Sequence, residues 1–384
     1  MPQIELADGV RSLDREQWNA LVGDDSPFLE WDWLAALEET GVLTAESGWL
    51  AQPLVAREGG RLVAACPLYL KGNSEGEFVF DHGWADAARR AGIRYYPKLL
   101  VGVPFTPVGG ARFLVAPGAE RLAWIARFGD ALREIALANQ LSGVHVNFCR
   151  EDELAVLRDA GWLPRLGLQY HWIARGWKSF DEYLGSLRHK RRKEVRRELR
   201  AVADAGVTIE VRTGADIPDA WFEPMWRFYR ATIDGNPWGR LYLNPAFFER
   251  VRERFRERLC FAVALRDGVP VGGAFNVQKG DALYGRYWGA DTFLRHLHFA
   301  VCYYAGIEHC IRAGLARFEP GAGGQYKQVR GFDAQPTHSA HFLTDPRLAA
   351  AVARYLEGER AETADAIDWL REKSALKPAH EGPP

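Results

Sequence analysis

The 384-residue sequence lacks any CxxC pair, and its five cysteines (Cys66, Cys149, Cys260, Cys302, Cys310) are scattered and odd in number. That spacing supplies neither a disulfide framework nor a zinc knuckle, so buried thiols are the expected state. No uncharged apolar run reaches the roughly 18 residues of a membrane-spanning helix. The opening MPQIELADGV has no basic stretch leading into an apolar one, as a secretory leader would. A soluble, cytoplasmic protein without stable membrane insertion is the expectation. Charge excess is missing too, with 49 Lys and Arg against 50 Asp and Glu. Such balance argues against a chain coated in nucleic acid and gives no reason to expect a DNA partner, yet it permits one local basic site. The G-x-S-x-G, P-loop and HExxH signatures are absent, and nothing points to a metal.

What is present suits a globular protein of two domains: 47% of residues are apolar and 26% charged. Two segments look alike when aligned. LVAREGGRLVAACPLYLKG (54–72) and AVALRDGVPVGGAFNVQKG (262–280) each read as a β-hairpin. A strand-like piece follows each, FVFDHGWADA (78–87) and ALYGRYWGAD (282–291). Further on, each half has a helical pattern running into a short strand: AWIARFGDALREIALANQ then VHVNF, and FAVCYYAGIEHCIRAG then ARFEPGA. The order predicts a duplicated α/β unit with mixed sheets of the α+β kind. The expected domains are 1–175 and 176–345, with a C-terminal helix and tail at 346–384.

Between the repeats, Ser179 (N-cap), Glu182 and Gly206 (C-cap) bracket a predicted helix over 179–205. Within it SLRHKRRKEVRRELRA carries eight Lys or Arg. Arg188, Lys190, Arg191, Arg192 and Arg196, with Arg295 further on, are candidates to hold a phosphate-rich carrier. A solvated helix interleaved with Glu194 and Glu198 is the plainer reading.

Three clusters carry candidate chemistry. In FEPGAGGQYKQVRGFDAQPTHSAHF (318–342), glycines allow backbone N–H groups close to a ligand, beside the cations Lys327 and Arg330. His338 and His341 lie on opposite faces of a strand. In GRYWGADTFLRHLHF (285–299) a strand ends and a helix begins, without the Gly-rich turn of acetyl-CoA binders. FDHGWAD places Asp81 and His82 together, where an acid and an imidazole serve as a general base. A glycine turn followed by an exposed strand is the plainer reading of the first cluster, and a polar turn capping a strand that of the third.

The runs SPFLEWDWLAALEETG, FDHGWADA, YYPKL, PFTPVGGARFL, RRKEVRREL, YGRYWGA, HLHF, CYYAGIEHCI, FEPGA, KQVRGF and THSAH resemble, in order along nearly the whole chain, the FemAB-like family labelled peptidoglycan biosynthesis/recognition. The resemblance implies tandem GNAT-like acyltransferase domains, akin to the Fem aminoacyltransferases that transfer amino acids from aminoacyl-tRNA to peptidoglycan precursors. It implies an N-acyltransferase with no tightly bound cofactor and with acyl-CoA or aminoacyl-tRNA as co-substrate. The acceptor would be a primary amine of a small molecule, peptide or cell-wall precursor. Lys327 matches the family lysine that follows a glycine turn, with Arg330 as its partner. Asp81 or His82 would accept the amine proton, and Tyr287 would protonate the leaving group. Substrate contacts are expected from Trp84, Phe105, Trp288, Gly323, Gly324, Gln325 and His338. Ala300 and Gln325-Tyr326 replace residues that include two acids of the family pattern, which opens the alternative of a non-catalytic binding protein for a peptide, glycan or lipid-linked precursor.

Overall fold

The computed structural model describes residues 2–235, 239–324 and 326–378. The chain forms two compact units, and they are not consecutive halves. The first comprises Met1–Leu168, Tyr242–Arg254 and Pro336–Asp365; the second, Gln169–Leu241, Phe255–Gln335 and Ala366–Pro384. The dividing point is thus 168/169 rather than 175, and the helix Pro346–Glu372 belongs partly to each unit. The helix Pro245–Arg254 joins the first unit because its apolar face packs there: Phe247 meets Trp33 edge-on at 5.2 Å. Asn244 also donates to the Thr40 carbonyl at 2.7 Å.

Both predicted hairpins form. In the first unit Leu54–Glu58 pairs antiparallel with Arg61–Cys66, flanked by Gln3–Leu6 and Leu114–Val115. A second, mixed sheet there contains Trp49–Ala51, Leu68–Lys71, Lys98–Val101, Gly143–Cys149 and the end of Asp333–Leu343. In the second unit Leu259–Arg266 and Val269–Lys279 form the hairpin, continued by Val207–Thr213 on one side and Ala282–Ala290 on the other.

Each unit contains a strand, a helix and a parallel strand. Lys98–Val101 leads through Arg121–Ala138 to Gly143–Cys149. Ala282–Ala290 leads through the helical stretch 297–313 to Arg317–Glu319. Parallel pairing of close strands requires such a crossover, and its presence twice is the structural form of the sequence repeat.

Two local expectations change. FVFDHGWADA is not a strand: His82–Arg90 is a helix that begins after Asp81. Trp84 and Ala88, one turn apart, are its buried residues, and the alanine-rich remainder favours helix over strand. The predicted helix 179–205 is two helices, Phe180–Ser186 and His189–Asp204. Leu187 is extended at the break. There the Arg188 N–H donates to the Ala375 carbonyl and the Lys377 N–H to the Ser186 carbonyl, so pairing with the C-terminal segment replaces helical bonds. The cap holds as read: Ser179 Oγ accepts from the Glu182 N–H at 3.2 Å.

Candidate functional site

In the second unit, the parallel pairing of Ala282–Ala290 with Arg317–Glu319 lasts only from Ala282↔Arg317 to Tyr284↔Glu319. Beyond it one strand runs on and the other chain turns away at Pro320. The wedge between them opens into a cavity of about 300 Å3. Four successive residues, Gly285, Arg286, Tyr287 and Trp288, line it. Strict alternation would turn half of them away. A bulge resolves this, since Phe275 pairs with Tyr287 and Asn276 with Gly285, leaving Arg286 as the extra residue.

Pro320 to Gly324 form the opposite wall. Gly321, Gly323 and Gly324 have φ of +89°, +69° and +95°, conformations that favour glycine. This loop turns its carbonyls, rather than its N–H groups, toward the cation. Lys327 Nζ donates to the Gly321 and Ala322 oxygens at 2.5 and 3.0 Å. Two of its three donors are thereby used, and the side chain lines the cavity. Lys327 has no carboxylate partner among the described residues, and burial pulls its pKa down to about 8. Gly323 and Gly324 line the cavity, as does Trp288; Gln325 lies outside the described residues.

Arg330 does not line the cavity. Its guanidinium is buried: Nη2 alone donates to both Glu198 carboxylate oxygens at 2.8 and 2.9 Å, while Nε donates to the Tyr304 hydroxyl and Nη1 to the Tyr326 carbonyl, each at 2.7 Å. It also stacks 3.5 Å over the Phe299 ring. With all three of its nitrogens engaged by these groups it anchors the Lys327 loop and is not placed to receive an oxyanion. Sequence reading missed its partner, although the signal was there: Glu198 falls on the buried stripe with Val195 and Val202, where an acid needs a buried cation.

The third wall is the helix after Phe293, whose turn Ala300–Tyr304 is widened to a π-helix. Such turns commonly accompany functional sites. From this helix His298, Cys302 and Tyr303 reach the cavity, and none of the three was singled out as a site residue from the sequence. Tyr287 is half-buried there, and the loss of water around its hydroxyl raises its pKa and keeps the phenol protonated.

The basic residues lie on the outer face of His189–Asp204 and just before it. Arg188, Lys190 and Arg196 are exposed, as are Lys193, Arg197 and Arg200. Arg191 pairs with Glu194 at 2.8 Å and Arg196 approaches Asp181 at 4.0 Å. Among the described residues, Arg188, Lys190, Arg192, Lys193, Arg197 and Arg200 have no ion-pair partner. Arg295 is exposed on the loop leading to the helix.

The remaining candidates belong to the first unit. Asp81 is 1% exposed, ion-paired with Lys98 and hydrogen-bonded by the Tyr95 hydroxyl at 2.6 Å. Burial alone would raise its pKa, but Lys98 leads a set of groups that more than offset this and hold it low. A carboxylate so held is a poor proton acceptor, which corrects the role expected of it. His82 is exposed and stacks on Phe80. Trp84 and Phe105 are core residues rather than ligand surface: Trp84 packs edge-on against His341, and Phe105 stacks on Tyr242 at 4.7 Å. His338 approaches Glu151 at 3.3 Å. Among the described residues no cluster of His, Cys, Asp or Glu is placed to hold a metal ion. No described helix is long and apolar enough to cross a membrane.

The FemAB-like family model, described as peptidoglycan biosynthesis/recognition, matches residues 9–378. The chain belongs to this family. Among solved structures it is similar to FemX, with a TM-score of 0.54 and 12% identity over 89% of this chain and 98% of that one. The C-terminal domain of a lysylphosphatidylglycerol synthetase from Agrobacterium fabrum gives 0.54 and 13%, over 89% and 95%. At such identities the likeness shows the fold, a mixed α/β architecture shared with FemX. A Mycobacterium tuberculosis protein described as 8-amino-7-oxononanoate synthase 2 is 26% identical over 211 residues, 53% of this chain. The match spans about a quarter (27%) of that relative's length. Family and fold together support an acyl- or aminoacyltransferase kind of activity.

Proposed function

We propose that the second unit's cavity is an N-acyltransferase site where a primary amine attacks an activated acyl or aminoacyl ester or thioester. Lys327 carries this reading: a buried ammonium, held by two carbonyls and without a carboxylate to neutralise it, faces a cavity and suits a developing oxyanion. Tyr287, kept protonated by burial, is suited to donate a hydrogen bond to the leaving oxygen. The unpaired cations of helix His189–Asp204 suit a polyanionic carrier, and charged tRNA uses more of them than coenzyme A would. The family description points to a peptidoglycan-precursor amine as acceptor.

The test is transfer of radiolabelled amino acids from total charged tRNA to a lysine-containing muramyl pentapeptide, with acetyl-CoA as the alternative donor. Lys327→Ala is expected to lower the rate about tenfold to a thousandfold. Equal turnover by this variant would remove Lys327 from the reaction. Binding of tRNA in a gel shift is expected to fall steeply with salt. One observation favours a non-catalytic binding protein instead: no carboxylate lines the cavity among the described residues. Tight retention of the pentapeptide with no transfer from either donor would select that reading.

A further inference from the structure

An acyl transfer to an amine needs a proton acceptor, and among the described residues no carboxylate lines the cavity to serve as one. We propose that His298 is the catalytic base of this cavity, taking the proton of the attacking amine and delivering it to the leaving group; the inference rests on the acyl-transfer reading above.

The geometry is specific. The His298 ring lies against Trp288 at 4.6 Å and Tyr303 at 5.2 Å between centroids, and these two residues line the same cavity. Neither ring nitrogen has a hydrogen-bond partner among the described residues. The ring is therefore fixed by aromatic contacts that cannot take its proton, and its nitrogens remain available to a ligand. Lys327 lines the same cavity from the glycine loop, so base and cation share one site on different elements. Arg286 and Tyr287 line it from the bulged strand. Burial first, then the Arg330 and Lys327 cations, pull the His298 pKa down to about 4, so the resting imidazole is neutral but weakly basic, and it becomes a proton acceptor only when negative charge develops beside it.

The step balances without a further reactant. The amine lone pair forms the N–C bond as the carbonyl π pair moves onto oxygen, where the Lys327 ammonium stabilises it. That oxyanion raises the basicity of the nearby imidazole, which takes the N–H proton. The oxyanion then re-forms the carbonyl, the bond from carbon to the carrier oxygen or sulfur breaks with its electron pair, and imidazolium returns the proton to that atom. The products are an amide and the neutral carrier alcohol or thiol, with both His298 and Lys327 regenerated.

The assay above, run with His298→Ala and His298→Gly, tests this. The expected result is a fall in kcat of about a hundredfold to ten-thousandfold. KM for charged tRNA should stay close to wild type, with partial recovery of kcat on adding imidazole. A purely structural role would not give that recovery. His298→Gln, closer in volume, is expected to show the same loss without recovery, because its amide is not basic. Wild-type turnover in the alanine variant would overturn the assignment, as would a loss that imidazole leaves unchanged in both small variants. Failure of the wild-type protein to transfer from either donor would overturn the acyl-transfer reading itself, and this inference with it.

Discussion

Two lysines buried in different units show opposite solutions to one electrostatic problem. Lys98, fully enclosed in the first unit, is paired with Glu77 at 2.9 Å and with Asp81. Burial alone would lower its pKa, but the two carboxylates more than offset this and the pKa is raised. Lys327 in the second unit is nearly as buried, at 3% exposure, and is held by carbonyl dipoles alone, so its pKa falls. A carboxylate partner makes a buried lysine a strut whose charge is spent locally. Carbonyl partners leave most of the charge uncompensated, which is costly to the fold and useful to an incoming anion.

The largest expected effect breaks the first half of that comparison. Lys98→Met strands the Glu77 and Asp81 carboxylates, and the first unit should lose about 3–5 kcal/mol in urea unfolding. Lys71 softens this only slightly, since its ammonium lies 4.0 Å from Glu77 and over the Trp49 ring. A neutral outcome would place Lys98 in the same class as Lys327. Arg330 extends the comparison, being a strut within the unit that holds Lys327. Arg330→Lys can keep one nitrogen on Glu198 but loses the planar set that also reaches the Tyr304 hydroxyl and the Tyr326 carbonyl, so about 2–3 kcal/mol of stability should be lost along with turnover. Binding of tRNA to the outer face of the helix should persist, and its loss would show that Glu198 and Arg330 also shape that face.

The struts were the part least legible in the sequence. Hairpins, the helix Arg121–Ala138 and the Ser179 cap were readable because they depend on periodicity and on neighbours a few residues away. The loop bearing Lys327 was readable because GAGG announces positive φ. By contrast, Arg330 finds Glu198 across 132 positions, and Lys98 finds Asp81 across 17, so neither pairing has a local signature. Asp81 was read as a base because Asp beside His suggests one, whereas the residue that determines its state is Lys98. His298 was passed over for the complementary reason: its neutrality depends first on burial and then on Arg330 and Lys327, all of which come from tertiary packing rather than from its neighbours in sequence. The assignment of Pro245–Arg254 to the first unit rests on Phe247 reaching Trp33, a contact no periodicity encodes.

A smaller effect sharpens the second half of the comparison. Lys327→Met removes a buried ammonium that lacks a carboxylate partner, so at pH 7 the protein should be unchanged or more stable by about 1 kcal/mol, even as transfer is lost. Thermal melting beside the rate assay checks this, and destabilisation equal to that of Lys98→Met would erase the distinction between the two sites.

The smallest effect is a divergence in alkali. Lys327 has a folded-state pKa of about 8, below that of the unfolded chain, so between pH 8 and about 10.4 the unfolded state binds more protons and this residue's contribution favours folding as pH rises. Lys98 has the opposite sign: its raised pKa gives stability that is complete below the unfolded value and is lost as pH climbs through the folded one. Comparing the pH dependence of unfolding for wild type and each methionine variant isolates the two slopes. Activity, compared at a fixed concentration of unprotonated acceptor amine, should follow Lys327, falling as pH rises through about 8 because its neutral amine no longer stabilises an oxyanion. A rate that stays level to pH 10 would mean that the Lys327 ammonium either keeps its proton when donor is bound or takes no part in transfer, and the Lys327→Ala rate separates those two outcomes.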